Sequence, residues 1–263
     1  MKKLLTLLMC LSFIALSCKK DKTNGPDQNQ EELLKKEELI PYYIAVEHKL
    51  SGNKIGLIYF AKVGDNVKAT FQGDGYTQTG DISVNGQGFS FDANSDGNYI
   101  YSFSFSKNAD GKFVMKSYQF ADKTSASQGL NYAIIARKED VPAFEGVNFK
   151  TQEGIYFTLK KDANNVQNIN WDIKKRVSYT YIFVPPSTYI PIPNDYIGPE
   201  YSKPYTKING LGWKENGGLF FGICVPEWKD STTPLMLLES GNTLYLAAIT
   251  KNLPCIICDN DDE

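Results

Sequence analysis

The side chains best suited to recognising a ligand are concentrated in one stretch. Residues 184–205 (VPPSTYIPIPNDYIGPEYSKPY) hold six of the chain's 12 prolines together with Tyr189, Tyr196, Tyr201 and Tyr205. Each tyrosine offers a flat apolar face and a polar tip, a surface that suits sugars and protein partners. Proline stiffness lowers the entropy lost when such a segment binds. The same tyrosines could instead pack down on the domain and cover a sheet edge. A second candidate is Asp92, Asn94 and Asp96 followed by Gly97, the first half of a D-x-[DN]-x-[DN]-G calcium loop. Calcium takes about six to eight oxygens, and an EF-hand closes its site with a late bidentate Glu. Phe103 stands at that position here, so an Asx-rich hairpin turn explains the same letters.

Cysteine and histidine add little chemistry. Cys224, Cys255 and Cys258 are the thiols of the body of the chain. They are too few for a four-ligand zinc site without help. In an oxidising compartment a structural disulfide among them leaves one thiol odd. His48, the single histidine, sits beside Glu47 on a strand and reads as surface decoration rather than a catalytic base. No G-x-S-x-G, HExxH, P-loop or helical G-x-G-x-x-G is present. A hydrolase built on two carboxylates would have to draw its pair from 30 acids that no spacing singles out. No cofactor is implied.

These residues need a scaffold, and the sequence points to strands. Of 263 residues, 13% are aromatic, a share that favours half-buried pleated surfaces. Over 40–138, strand patterns at 42–48, 54–63, 67–72, 76–84, 88–92, 98–106, 112–120 and 131–137 alternate with turn signals such as Asn85-Gly86. The clearest is YIYSFSFS, where Tyr101, Phe103 and Phe105 share one face and Ser102, Ser104 and Ser106 the other. Further strands are expected at 168–173, 177–184, 217–225, 235–239 and 243–250, with 184–205 as a long stiff loop. The expected fold class is all-β: an antiparallel meander forming a small barrel or sandwich, with two β-domains (40–138 and 142–254) in tandem. Gly56-Leu57-Ile58-Tyr59-Phe60 is echoed by Gly154-Ile155-Tyr156-Phe157, and Tyr132–Lys138 by Tyr245–Lys251. Trp171, Trp213 and Trp228 suit either core or ligand platform. The acidic tail, 255–263, reads as a solvated end.

The first residues carry an address. Lys2 and Lys3 precede an apolar run, Leu4–Leu16, that is too short for an ordinary membrane span. It ends in Ile14-Ala15-Leu16-Ser17-Cys18. This resembles a bacterial lipoprotein signal peptide, with a small residue before the cysteine; Ala15 departs from the Leu commoner at its place. The resemblance implies cleavage of residues 1–17, a thioether-linked diacylglycerol on Cys18, and an N-acyl chain such as palmitate. Several acyl chains hold a protein stably where one does not. Residues 19–30 have no apolar side chain except Pro26 and read as a leash reaching roughly 40 Å. With 31–39, a possible short helix, they form a tether at 18–39.

The expectation is therefore a membrane-anchored lipoprotein of the cell envelope, most simply the outer membrane, facing either the periplasm or the exterior. It would bind a glycan or a small apolar ligand, or else dock an envelope protein. A net charge of -2 offers no basic field for nucleic acid.

Overall fold

Seven consecutive residues, Tyr42–His48, are buried without a break, and the architecture follows from the need to cover them on two faces. The computed structural model describes residues 33–49, 54–94, 96–123, 129–154, 156–161, 167–172, 181–184, 188–191, 201–217 and 220–250; of 167–172, 181–184, 188–191 and 201–202 it describes the backbone alone. The protein is all-β, with every named strand pair antiparallel. Its helical content among the described residues is two 3-10 turns, Lys36–Leu39 and Lys138–Asp140. The first of these stands where a short helix at 31–39 was expected; residues 31 and 32 lie outside the described residues.

The first meander runs β1 (Tyr42–His48), β2 (Ile55–Val63), β3 (Asn66–Gln72), β4 (Thr77–Asp81), β5 (Ser83–Asn85), β6 (Gly88–Asp92), β7 (Tyr99–Lys107), β8 (Phe113–Asp122) and β9 (Leu130–Arg137). It splits at Ile82 into a five-stranded sheet, β4-β3-β2-β1-β9, and a four-stranded sheet, β5-β6-β7-β8. The two stack as a sandwich. Tyr42, Ile44, Val46, Ile58 and Phe60 from the first sheet meet Phe89, Phe91, Tyr101, Phe103 and Phe105 from the second. The period of two in YIYSFSFS is realised: Tyr101, Phe103 and Phe105 are buried and its serines half-exposed.

The second meander runs β10 (Asn148–Thr151), β11 (Tyr156–Lys161), β12 (Gln167–Asp172), β13 (Tyr181–Val184), β14 (Thr188–Pro191), β15 (Tyr201–Ile208), β16 (Gly212–Glu215), β17 (Phe220–Val225), β18 (Leu235–Ser240) and β19 (Thr243–Thr250). Strands β13 and β14 form a separate hairpin; the other eight close a barrel in which β19 pairs with β10. The segment 184–205 is thus not one loop. Proline is tolerated there because Pro191 ends a two-stranded hairpin. Pro204 stands where β15 leaves β12 and joins β16, so its missing N–H falls at a change of partner.

Outward-facing residues of β17 and β18, among them Phe221, Ile223, Val225, Leu235 and Leu237, pack against Tyr43, Ala45, Ile55 and Leu57 on the far face of the five-stranded sheet. That sheet is therefore covered by the sandwich partner on one side and by the barrel wall on the other. An antiparallel sheet commonly leaves one face to water; here neither is left, hence the unbroken burial of β1. From Leu33 onward the chain forms one compact unit, so the two meanders are not separate bodies. The echoed sequence segments fall on matching strands: β2 and β11 are second in their meanders, while β9 and β19 are last and pair back to the first.

Polar groups cross the apolar seam. The Tyr43 hydroxyl donates to the Cys224 carbonyl at 2.9 Å, wholly inside. Tyr43→Phe keeps the ring and removes the bond. It is expected to lower stability by about 1 kcal/mol, read as a shift in the urea midpoint at constant slope.

Candidate functional site

Where the sandwich and the barrel wall meet at the His48 end of β1, a cavity of about 320 Å³ opens. Its inner wall is aromatic: Phe71 from β3, Tyr101 from β7 and Phe120 from β8 surround the imidazole of His48. Its rim carries Tyr76, Tyr99, Lys54, Asp74 and Glu239. Phe71 can lie flat here because two neighbours lack side chains. A Cβ on Gly56 would come 2.4 Å from the Phe71 ring, and one on Gly73 would come within 3.2 Å. The Phe71 and Tyr101 rings stack at 5.3 Å, and Tyr101 contacts Phe120 at 4.7 Å between centroids.

His48 is 5% exposed and accepts no role as surface decoration. Its Nε2 lies 2.6 Å from the Tyr101 hydroxyl. Burial drives the imidazole pKa down to about 4, and the nearby Lys54 carbonyl pulls it back only partly. Burial also raises the Tyr101 hydroxyl well above its ordinary value. At neutral pH the ring is uncharged and Tyr101 keeps its proton. We assign the proton to Nδ1, which lies toward the Lys54 carbonyl without a well-formed bond, and Tyr101 as donor to Nε2. That pairing leaves His48 poorly suited to act as a base.

Glu239 is 1% exposed and reaches from the barrel to the start of β2. Its Oε1 accepts from Lys54 Nζ at 2.9 Å, and its Oε2 from the Ile55 N–H at 2.8 Å. Burial raises its pKa, opposed by Lys54 and the Ile55 N–H and reinforced by Asp74. Asp74 is held more loosely, with Lys214 Nζ at 3.6 Å. Tyr76 donates from its hydroxyl to the Ala93 carbonyl, which ties the rim to the loop of Asp92, Asn94 and Asp96. That loop closes on itself. Asp92 accepts from the Asn94 and Gly97 N–H groups, and the Asn94 side chain from the Asp96 N–H. Among the described residues no group of three or more His, Cys, Asp or Glu side chains is placed to hold a metal ion.

The expected tyrosine platform is placed only in part. Tyr205 is buried beside Trp213 in the barrel and donates to Glu145 Oε1 at 3.0 Å, so it is core. Tyr189 and Tyr201 lie on β14 and β15, but their side chains, and all of Tyr196, lie outside the described residues. Cys18, Cys255 and Cys258 lie outside them too. Cys224 is a free, buried thiol whose pKa burial pushes up to about 12. Trp213 and Trp228 are core. The cavity was missed because its residues are scattered from 48 to 239. One signal pointed to it: the unbroken apolar run Tyr42–Val46 implies a strand buried on both faces. Comparisons with protein-family models, curated proteins and solved structures found no match.

The buried imidazole has a measurable consequence. Its folded-state pKa of about 4 lies below the ordinary 6.5. As pH falls through 6.5 the unfolded chain takes up this proton and the folded one does not, so stability drops until the folded value is reached. The loss between these limits is about 3 kcal/mol. Urea titrations at pH 7 and pH 4.5 should show this component in the wild type and lose it in His48→Gln. An equal pH dependence in both would contradict it.

Proposed function

We propose that the protein is an envelope lipoprotein, anchored through acyl chains on Cys18, that binds a small ligand with an apolar body in the aromatic cavity. The observation that carries this reading is the cavity itself: rings from three strands lining a space at the small end of the roughly 300–1,000 Å³ typical of ligand sites. A glycan fits less well than an apolar ligand. The Tyr76 and Tyr101 hydroxyls, the Lys54 ammonium and both Glu239 oxygens are already engaged within the protein, so most sugar hydroxyls would go unpaired.

A carboxylate-based hydrolase has one observation in its favour, the raised pKa of Glu239 with Asp74 nearby. Both Glu239 oxygens being held, one of them by a backbone N–H, argues for a carboxylate that ties the barrel to β2 rather than one that serves a substrate.

The reading is tested on the full-length mature protein in detergent by thermal shift and calorimetry, with indole and cyclohexanol as apolar probes and glucose as the polar one. An apolar probe should bind with Kd on the order of 100 μM. Tyr76→Ala, at a half-exposed rim position, should weaken it about tenfold with little change in Tm. Indifference to both apolar probes would sink the cavity as a binding site. The anchor has a separate check: an acyl-chain analogue fed to cells should label the wild type and not Cys18→Ala.

A further inference from the structure

Resting on the cavity as the binding site, we infer that its ligand carries a positive charge without hydrogen-bond donors, an organic cation of the quaternary ammonium class. The rings supply the first part of the argument. Aromatic faces are electron-rich and attract cations, most strongly where water is excluded. Phe71, Tyr76, Tyr99, Tyr101 and Phe120 line one small space. Tyr101 is itself stacked by Phe71 and Phe91, so the partly exposed Tyr76 and Tyr99 are the rings that offer faces to a ligand. None of these rings is occupied by a cation of the chain among the described residues. Among the described residues the cation–ring contacts lie elsewhere, with Lys107 over Phe113, Arg137 over Tyr42 and Lys150 over Tyr156.

The charges supply the second part. Asp74 and Glu239 line the cavity against one cation, Lys54. Lys54 is turned onto Glu239 at 2.9 Å, and Asp74 is paired at the longer distance of 3.6 Å with Lys214. Lys214 is not part of the lining, so the Asp74 carboxylate is the more loosely held of the two that face the cavity. Asp92 and Asp96 add negative potential at the rim, where they help burial hold the Tyr76 hydroxyl protonated. An anion would meet these carboxylates with no free ammonium to receive it. A primary ammonium would need acceptors that the site has largely committed. A methylated ammonium needs only electron-rich faces and a carboxylate nearby.

The test compares two probes of one shape on the full-length protein by calorimetry at low salt: choline, and 3,3-dimethylbutan-1-ol, in which carbon replaces the charged nitrogen. Choline should bind about tenfold more tightly. Asp74→Asn should cut that preference to about threefold, while leaving the alcohol's affinity in place. Equal affinities would overturn the charge assignment and leave the cavity's apolar binding intact. A preference untouched by Asp74→Asn would overturn it as well. Binding of neither probe, together with failure of indole and cyclohexanol, would remove the site itself.

Discussion

The strand β1 has no wet face. Tyr42, Ile44 and Val46 face the sandwich interior, while Tyr43 and Ala45 face the barrel wall. A sheet packed on both sides is held by apolar burial, and polar groups in its path must be matched or they cost stability. Three of them are matched across the seam. Tyr43 reaches the Cys224 carbonyl. The Glu47 carboxylate, almost wholly buried, meets Lys229 Nζ at 2.6 Å and accepts from Asn131. Glu239 reaches Lys54 and the Ile55 N–H. Buried ion pairs seldom add much net stability, since desolvation offsets attraction. Losing one partner is another matter, because it strands a charge. Such pairs fix which surface of the barrel meets the sheet more than they strengthen the contact.

The cavity inherits its shape from this seam. Glu47 and Ile55 are ladder partners at the end of the sheet where β1 passes into β2, and both are bound to the barrel. His48, one residue on, turns to the other face and joins the sandwich interior. A shift between Glu47 and His48 in the pairing with β9 marks this point. The cavity thus opens where the central sheet stops being covered evenly, and Glu239, a barrel residue, completes its rim. Neither meander makes the site alone.

Much of the fold was legible because it is local. Turns such as Asn85-Gly86 and the alternation of YIYSFSFS are set by neighbours, and strands at 42–48, 88–92 and 243–250 have the bounds read from sequence. What escaped was non-local. Strand β16 is four residues long and carries Trp213 and Glu215, both buried, a pattern that means nothing until the barrel closes around it. The prolines of 184–205 argued against strands, and the argument failed where a proline sits at a change of pairing partner. The site was hidden for the same reason as the seam. His48 looked like decoration because its neighbour is Glu47, yet that glutamate is buried as well, matched by a lysine far along the chain.

The two meanders differ in how their described interiors are filled, and this places the aromatic wall of the cavity in the first. Inside the barrel, Phe149, Phe157 and Trp213 fill the described part of the core, with Phe149 and Phe157 stacked at 5.1 Å. Gly222 gives way to the Trp213 indole so closely that a Cβ there would fall 2.4 Å from its nitrogen. The glycine lets a large ring complete the packing. In the sandwich, Gly56 plays the same part toward Phe71, with the opposite result. The ring lies flat against the backbone of β2 and leaves its other face to Tyr101 and the cavity. Residues of the same type, at the second strand of one meander and the sixth paired strand of the other, thus serve two packings: one ring completes the described part of the barrel core and the other forms a cavity wall. The difference rests on where the ring lies, which the glycine permits and the neighbouring strands decide.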